Sequence, residues 1–173
     1  MEAVEPNHHE PDLWPAYLSF FRQTIIERVL SIGPDARRRS RLASGWTPIE
    51  LLSHVLHMEQ RWFVWGFLGE QVDDVWGDWD TDDDPWDEVS TASWRVEEAV
   101  TAEDLAERLR AVGRRTSEVL ASHPLDAVAA EGERFEGDPA TLQWICLHVL
   151  QEYARHAGHL DIAVELAGGP TGE

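Results

Sequence analysis

Apolar residues recur along this chain at the spacing of one helix face, and they do so in four separate stretches. The first runs from Asp12 to Ser31, with Trp14, Leu18, Phe21, Ile25, Val29 and Ile32 as its stripe. Gly33-Pro34 ends it, because glycine accepts a left-handed cap and proline cannot continue a helix. The second starts at Thr47-Pro48, where Glu50 completes a capping box with Thr47, and runs to Gly69. Leu51, His54, Met58, Trp62 and Trp65 share its inner face, with His57 nearer the edge. The third opens at Thr101 with Asp104 as the reciprocal cap, shows Leu105, Leu109, Val112, Thr116 and Val119, and stops before Pro124. For the fourth, Asp138-Pro139 reads as cap and first position, and the helical pattern runs from Thr141 to Leu166. No hairpin pattern and no internal repeat interrupts this order. The pattern predicts an all-α fold, a four-helix bundle with a long loop between helices two and three. The bundle takes residues 12–167, with a loose leader over 1–11 and a short tail over 168–173.

Residues 70 to 100 break the helical pattern. Long loops in compact domains are often functional. This one is acidic and rich in tryptophan. Trp76, Trp79 and Trp86 of the loop fall in one short region with Trp62 and Trp65 of the second helix, either as bulky core or as the lining of a pocket. The run Asp80 to Asp84 lacks the alternation, glycine and closing glutamate of a calcium loop and reads as solvated charge. The segment Ser93 to Val100 reads as extended chain covering one opening of the bundle.

Charge changes the picture further. The 173 residues hold 33 Asp and Glu against 14 Lys and Arg, a net charge of −19. Such a surface repels phosphate backbones, which argues against nucleic-acid partners. The basic patch Arg37-Arg38-Arg39 with Arg41 is expected to pair with the protein's own carboxylates. His8-His9 sits in the leader and reads as mobile tail. No apolar run reaches membrane-spanning length and no signal peptide opens the chain. With one cysteine, Cys146, the expectation is a reducing, cytoplasmic setting. Cys146 itself reads as a small buried residue rather than a nucleophile.

The chemistry lies in the fourth helix. One row there reads Ile145, Val149, Glu152, His156, His159, Ala163, Leu166: apolar ends around a carboxylate and two imidazoles. Burying such groups costs several kcal/mol without a partner, and a metal ion is the best partner. Glu152 and His156 lie one turn apart on one face, so both reach a single ion at about 2 Å. His54 supplies a third ligand from the facing helix, which leaves a position open for water or substrate. His159 is assigned the outer shell, orienting a ligand or moving a proton. His148, one turn before Glu152, is the rival ligand.

Ser44 to Phe63 (SGWTPIELLSHVLHMEQRWF) and Leu142 to Glu165 (LQWICLHVLQEYARHAGHLDIAVE) resemble the DinB/YfiT-like metalloenzyme superfamily. The chain is most similar there to an actinobacterial DinB-like branch, and similar also to the metal-binding domain of mycothiol-dependent maleylpyruvate isomerase. The resemblance implies a bundle in up-down-down-up order and a divalent ion, zinc first and nickel second, on His54, Glu152 and His156. It also implies a low-molecular-weight thiol such as mycothiol and a thiol S-transferase acting on a small electrophile. Arg61 or Arg155 would hold the anionic part of cofactor or substrate, the alternative for both being a surface ion pair. A metal-dependent hydrolase, an iron oxygenase and a non-catalytic ligand-binding bundle are the competing readings. The expected partners are a small-molecule substrate and, as bundles of this kind often dimerise, a second copy of the chain.

Overall fold

The structure is a computed structural model that describes residues 3–7, 12–79, 94–132 and 134–171. Its elements are α1 (Leu13–Leu30), a short α2 (Pro34–Arg37), α3 (Pro48–Gln60), α4 (Ala102–Ser122) and α5 (Leu142–Leu166). The helix α3 continues over Arg61–Phe67 as a π-helix, a wider coil found most often near functional sites. The fold is all-helical: among the described residues the only β pairings are two isolated bridges, Trp79 with Trp94 and Val128 with Thr141. None of the described helices is long and apolar enough to cross a membrane. His8-His9, Asp80 to Asp84 and Trp86 lie outside the described residues.

Local sequence explains the helix ends. At α3 the Glu50 amide donates to the Thr47 hydroxyl, and the Thr47 amide donates to the Glu50 carboxylate at 2.7 Å, the anticipated capping box. Thr101 and Asp104 make the same box on α4. The start of α5 differs from the sequence expectation. Thr141, not Asp138, is its cap, with the hydroxyl accepting from the Trp144 amide. The amides of Leu142 and Gln143 instead donate to the carbonyls of Ala127 and Leu125. The incoming chain is thus tied to residues 125–128 past Pro139, and the helix begins three residues later.

The four long helices pack pairwise, α1 against α4 and α5, and α3 against the same two. Leu18, Ile25, Leu51, Leu52, Leu105, Leu109, Ile145 and Val149 meet in the core, each fully or almost fully buried. Burial of side chains of this size contributes about 1.5–3 kcal/mol apiece. A polar node sits inside this apolar core. Glu59 of α3, fully buried, accepts from Arg22 of α1 at 2.5 and 3.0 Å, from Thr116 of α4 at 2.6 Å and from Tyr153 of α5 at 2.5 Å. The other three long helices therefore each contribute one side chain to a single carboxylate of α3. Gly113 makes room for it: a Cβ there would fall 2.4 Å from Cζ of Arg22.

The long connection between α3 and α4 is held back onto the helices by the basic patch. Arg37 donates to Glu103 at 2.7 Å and to the carbonyls of Leu30 and Ile32. Arg38 donates to four carbonyls, those of Val96, Glu97, Glu98 and Val100. Arg37 and Arg38 thus pair within the molecule, Arg37 with a carboxylate and Arg38 with backbone oxygens. Residues 3–7 of the leader lie along α1, where the Ala3 amide donates to Glu27.

Candidate metal centre

His54 on α3 and Glu152 and His156 on α5 each place one potential ligand atom so that all three lie within 4.8 Å of one another. The two rings stand 4.8 Å apart between centroids, and His156 Nε2 lies 3.2 Å from the Glu152 carboxylate. Both histidines are buried, and His156 Nδ1 has no hydrogen-bond partner among the described residues. A buried polar atom left unpaired costs about 1–3 kcal/mol, so its presence needs a reason. One carboxylate and two imidazoles suit zinc, nickel or iron.

Protonation states agree with ligation. Burial lowers the affinity of His54 for a proton, against the pull of Asp78, which keeps the imidazole neutral with a lone pair to donate. The bond from His156 holds the Glu152 carboxyl below its usual range despite partial burial, so it is ionised. Metal ligation requires both of these forms.

Asp78 is the residue the sequence did not reveal. It is fully buried, and its carboxylate accepts from His54 Nδ1 at 2.9 Å and from both Nη atoms of Arg61, at 2.5 and 3.0 Å. The bonds from His54 and Arg61 outweigh burial and hold the Asp78 carboxyl below its usual range. The arrangement leaves His54 Nε2 as the free ring nitrogen, the carboxylate–histidine relay that orients metal-binding imidazoles. Arg61 also donates to the Val75 carbonyl at 3.0 Å and stacks 4.6 Å over Trp76. Trp94, brought in by its bridge to Trp79, stacks on the His54 ring at 4.0 Å and 13°. Trp94 thus covers one face of the His54 ring, while residues 98–99 of the same segment form a turn rather than extended chain.

A cavity of about 290 Å³ opens on this cluster. Trp62, Trp76 and Trp79 form its aromatic walls, and His54 and Glu152 lie on its lining with Arg61, Arg134 and His148. Trp65 stands outside it, against the edge of Trp76. Of the five tryptophans, three thus line a pocket, and Trp62 among them also belongs to the buried core.

The remaining sequence candidates are placed as follows. His148 lines the pocket with its ring stacked on Trp144, outside the three-donor group. His159 is exposed, 5.9 Å between centroids from His156 and 6.2 Å from Trp46. Arg61 lines the pocket but points its guanidinium at Asp78, and Arg155 is exposed and outside the lining. Cys146 is fully buried, and burial pushes its thiol up to about 12. A thiol so rarely ionised is a poor nucleophile. An aromatic disulfide reagent at pH 8 is expected to leave Cys146 untouched in the native protein and to titrate one thiol after denaturation. Rapid reaction of the native protein would contradict this placement.

Comparison with known proteins gives one match. The family model described as Mycothiol-S-transferase matches residues 14–169, from the first turn of α1 to just past the end of α5. No curated protein matches the chain, and no solved structure does. The match takes in both helices that carry the donor cluster and the connection that carries Asp78. The chain belongs to the mycothiol-S-transferase family.

Proposed function

We propose that this protein is a divalent-metal-dependent thiol S-transferase that uses a mycothiol-type thiol against a small electrophile. The observation that carries the reading is the convergence of His54, Glu152 and His156 within 4.8 Å beside an aromatic pocket, in a chain of this family. The pairwise packing of α1, α3, α4 and α5 supports a four-helix bundle, and the contacts Arg28–Asp161, Arg37–Glu103, His54–His156 and Trp62–Trp144 between identified ends support up-down-down-up order.

A divalent ion on these residues, zinc first and nickel second, supplies the Lewis acidity that lowers the pKa of a bound thiol. The protein's own residues do the rest. His54 and His156 donate ring nitrogens and Glu152 one carboxylate oxygen. Asp78 fixes the tautomer and direction of His54, and Arg61 fixes Asp78. In this way Arg61 serves the cofactor through Asp78 rather than by contact. Trp94 shields His54 from water on one side. Trp62, Trp76 and Trp79 hold the electrophile by its apolar surface. His159, at the exposed edge, accepts the thiol proton on a ring nitrogen and passes it to solvent, while Arg155 lies beside it as a cation for an anionic group.

Asp78→Asn tests the relay. The variant keeps shape but removes the charge that orients His54, and metal affinity is expected to fall about 10- to 100-fold. Competition against a chelating dye measures this directly, and an unchanged affinity would remove Asp78 from the site. For the activity, purified protein is assayed for loss of free mycothiol with a fluorogenic electrophile, with bound metal measured by elemental analysis. Near-stoichiometric metal and thiol-dependent turnover support the reading. Thiol-independent turnover points to the hydrolase. Protein that stays metal-free after incubation with Zn²⁺, Ni²⁺, Mn²⁺ and Fe²⁺ overturns the metal-dependent reading.

A further inference from the structure

Arg134 is electrostatically out of place. Its guanidinium is partly buried on the pocket wall, 4.1 Å over the ring of Trp62. The other arginines that are buried or partly so, Arg22, Arg28, Arg37, Arg61, Arg110 and Arg115, each face a carboxylate. No carboxylate among the described residues lies within ion-pair distance of Arg134. In a chain with 33 acidic residues and 14 basic ones, a guanidinium in a pocket with no carboxylate partner among the described residues is unexpected. Burial and the neighbouring Arg61 push its pKa down.

The backbone is shaped to keep it there. A Cβ at Gly66 would lie 2.9 Å from the Arg61 carbonyl oxygen, 3.2 Å from the Phe135 ring and 3.4 Å from Cγ of Arg134. The bare glycine in the π-helical turn leaves room for the stem of Arg134, and the guanidinium carbon rests over the Trp62 ring. A planar fork held on an aromatic face is the geometry that binds a carboxylate through two parallel hydrogen bonds.

Deepening the transferase reading and resting on it, we propose that Arg134 is the anion-holding group of this pocket and that the electrophile it accepts carries a carboxylate. Arg61 is already engaged by Asp78, and Arg155 stands outside the pocket, so neither of the arginines singled out from the sequence takes this role within it. A cavity of about 290 Å³ admits a small acid with its reactive carbon toward the His54 and Glu152 end and its carboxylate toward Arg134.

The probes are benzoate and its neutral counterpart benzamide, titrated calorimetrically into wild type, Arg134→Met and Arg134→Lys, each before and after chelator treatment. Benzoate is expected to bind wild type at least tenfold more tightly than benzamide, since a bond to a charged group is worth about 1.5–3 kcal/mol. Arg134→Met should abolish that preference, Arg134→Lys should keep part of it, and chelation should leave it in place. Circular dichroism of the two variants checks the fold. In turnover with mycothiol, Arg134→Met should raise KM for a carboxylate-bearing electrophile about tenfold or more, leaving KM for its amide analogue and for the thiol unchanged. Equal benzoate affinity in wild type and Arg134→Met overturns the proposal, as does a benzoate preference that chelation removes. A rise confined to the KM of the thiol overturns it too, by placing the anion on the thiol. Because the calorimetric arm needs neither metal nor turnover, it can succeed where the transferase reading fails.

Discussion

Glu59→Ala is expected to lower stability by about 3–5 kcal/mol, the range seen when one partner of a buried ion pair is deleted. The cause is what remains. Arg22 keeps its charge in the core, and Thr116 and Tyr153 keep hydroxyls with no acceptor in place. For a chain of this length each kcal/mol moves Tm by about 2–4 °C, so thermal denaturation should show a fall on the order of 10 °C. The paired variant Arg22→Met with Glu59→Met discriminates between causes. If the loss comes from the stranded charge, removing both partners should recover most of it, because apolar replacements of a buried pair are often neutral or better. A single-variant loss under about 1 kcal/mol would mean that water or a backbone shift satisfies Arg22, and that the node contributes little.

His156→Ala is expected to remove the metal and to cut thiol transfer by more than about a hundredfold, exceeding the 10- to 100-fold typical of a residue that only supports a ligand. His156 is buried, and its one side-chain hydrogen bond among the described residues is the one its Nε2 donates to Glu152, so its loss disturbs no other side-chain bond. The helical signal and Tm should therefore stay close to wild type while bound metal falls to background. His54→Ala should do the same, with Asp78 and Arg61 left paired to each other. Full metal content in both variants would place the ion elsewhere or show it to be adventitious. Bound metal in wild type with no thiol-dependent turnover would keep the centre and remove the reaction assigned to it.

The helices were legible because burial on one face writes a 3.6-residue period, and Thr47 and Thr101 carry cap chemistry that works locally. The residues that cluster were legible for a related reason. Glu152, His156 and His54 interrupt rows that are otherwise apolar, and an ionisable group in such a row must be used or neutralised. Glu59 and Arg22 escaped notice because their bonds join residues 37, 57 and 94 positions apart, and no local pattern reports such a meeting. Asp78 and Arg134 escaped for another cause: both sit on irregular segments, where no period distinguishes a buried side chain from a solvated one. The π-helical turn is invisible for its own reason. Arg61–Phe67 is apolar nearly all round, so a change of helical pitch leaves no trace in the pattern. The start of α5 was misplaced because Asp138-Pro139 has the right cap chemistry, and only the hydrogen bonds to Leu125 and Ala127 deny it.

The Glu59–Tyr153 bond joins α3 to α5 at the residue next to Glu152, five residues beyond His54. The spacing of the donors is therefore set by the interior of the protein and does not wait for an ion to draw two helices together. On the metal-dependent reading, an ion would then enter and leave by exchange at a standing cavity, and binding would carry no folding transition with it. Selection among zinc, nickel and iron would pass from the architecture to ligand preference and supply. The same polypeptide recovered from cells grown on different metals is then expected to be a population of differently loaded molecules with one common shape.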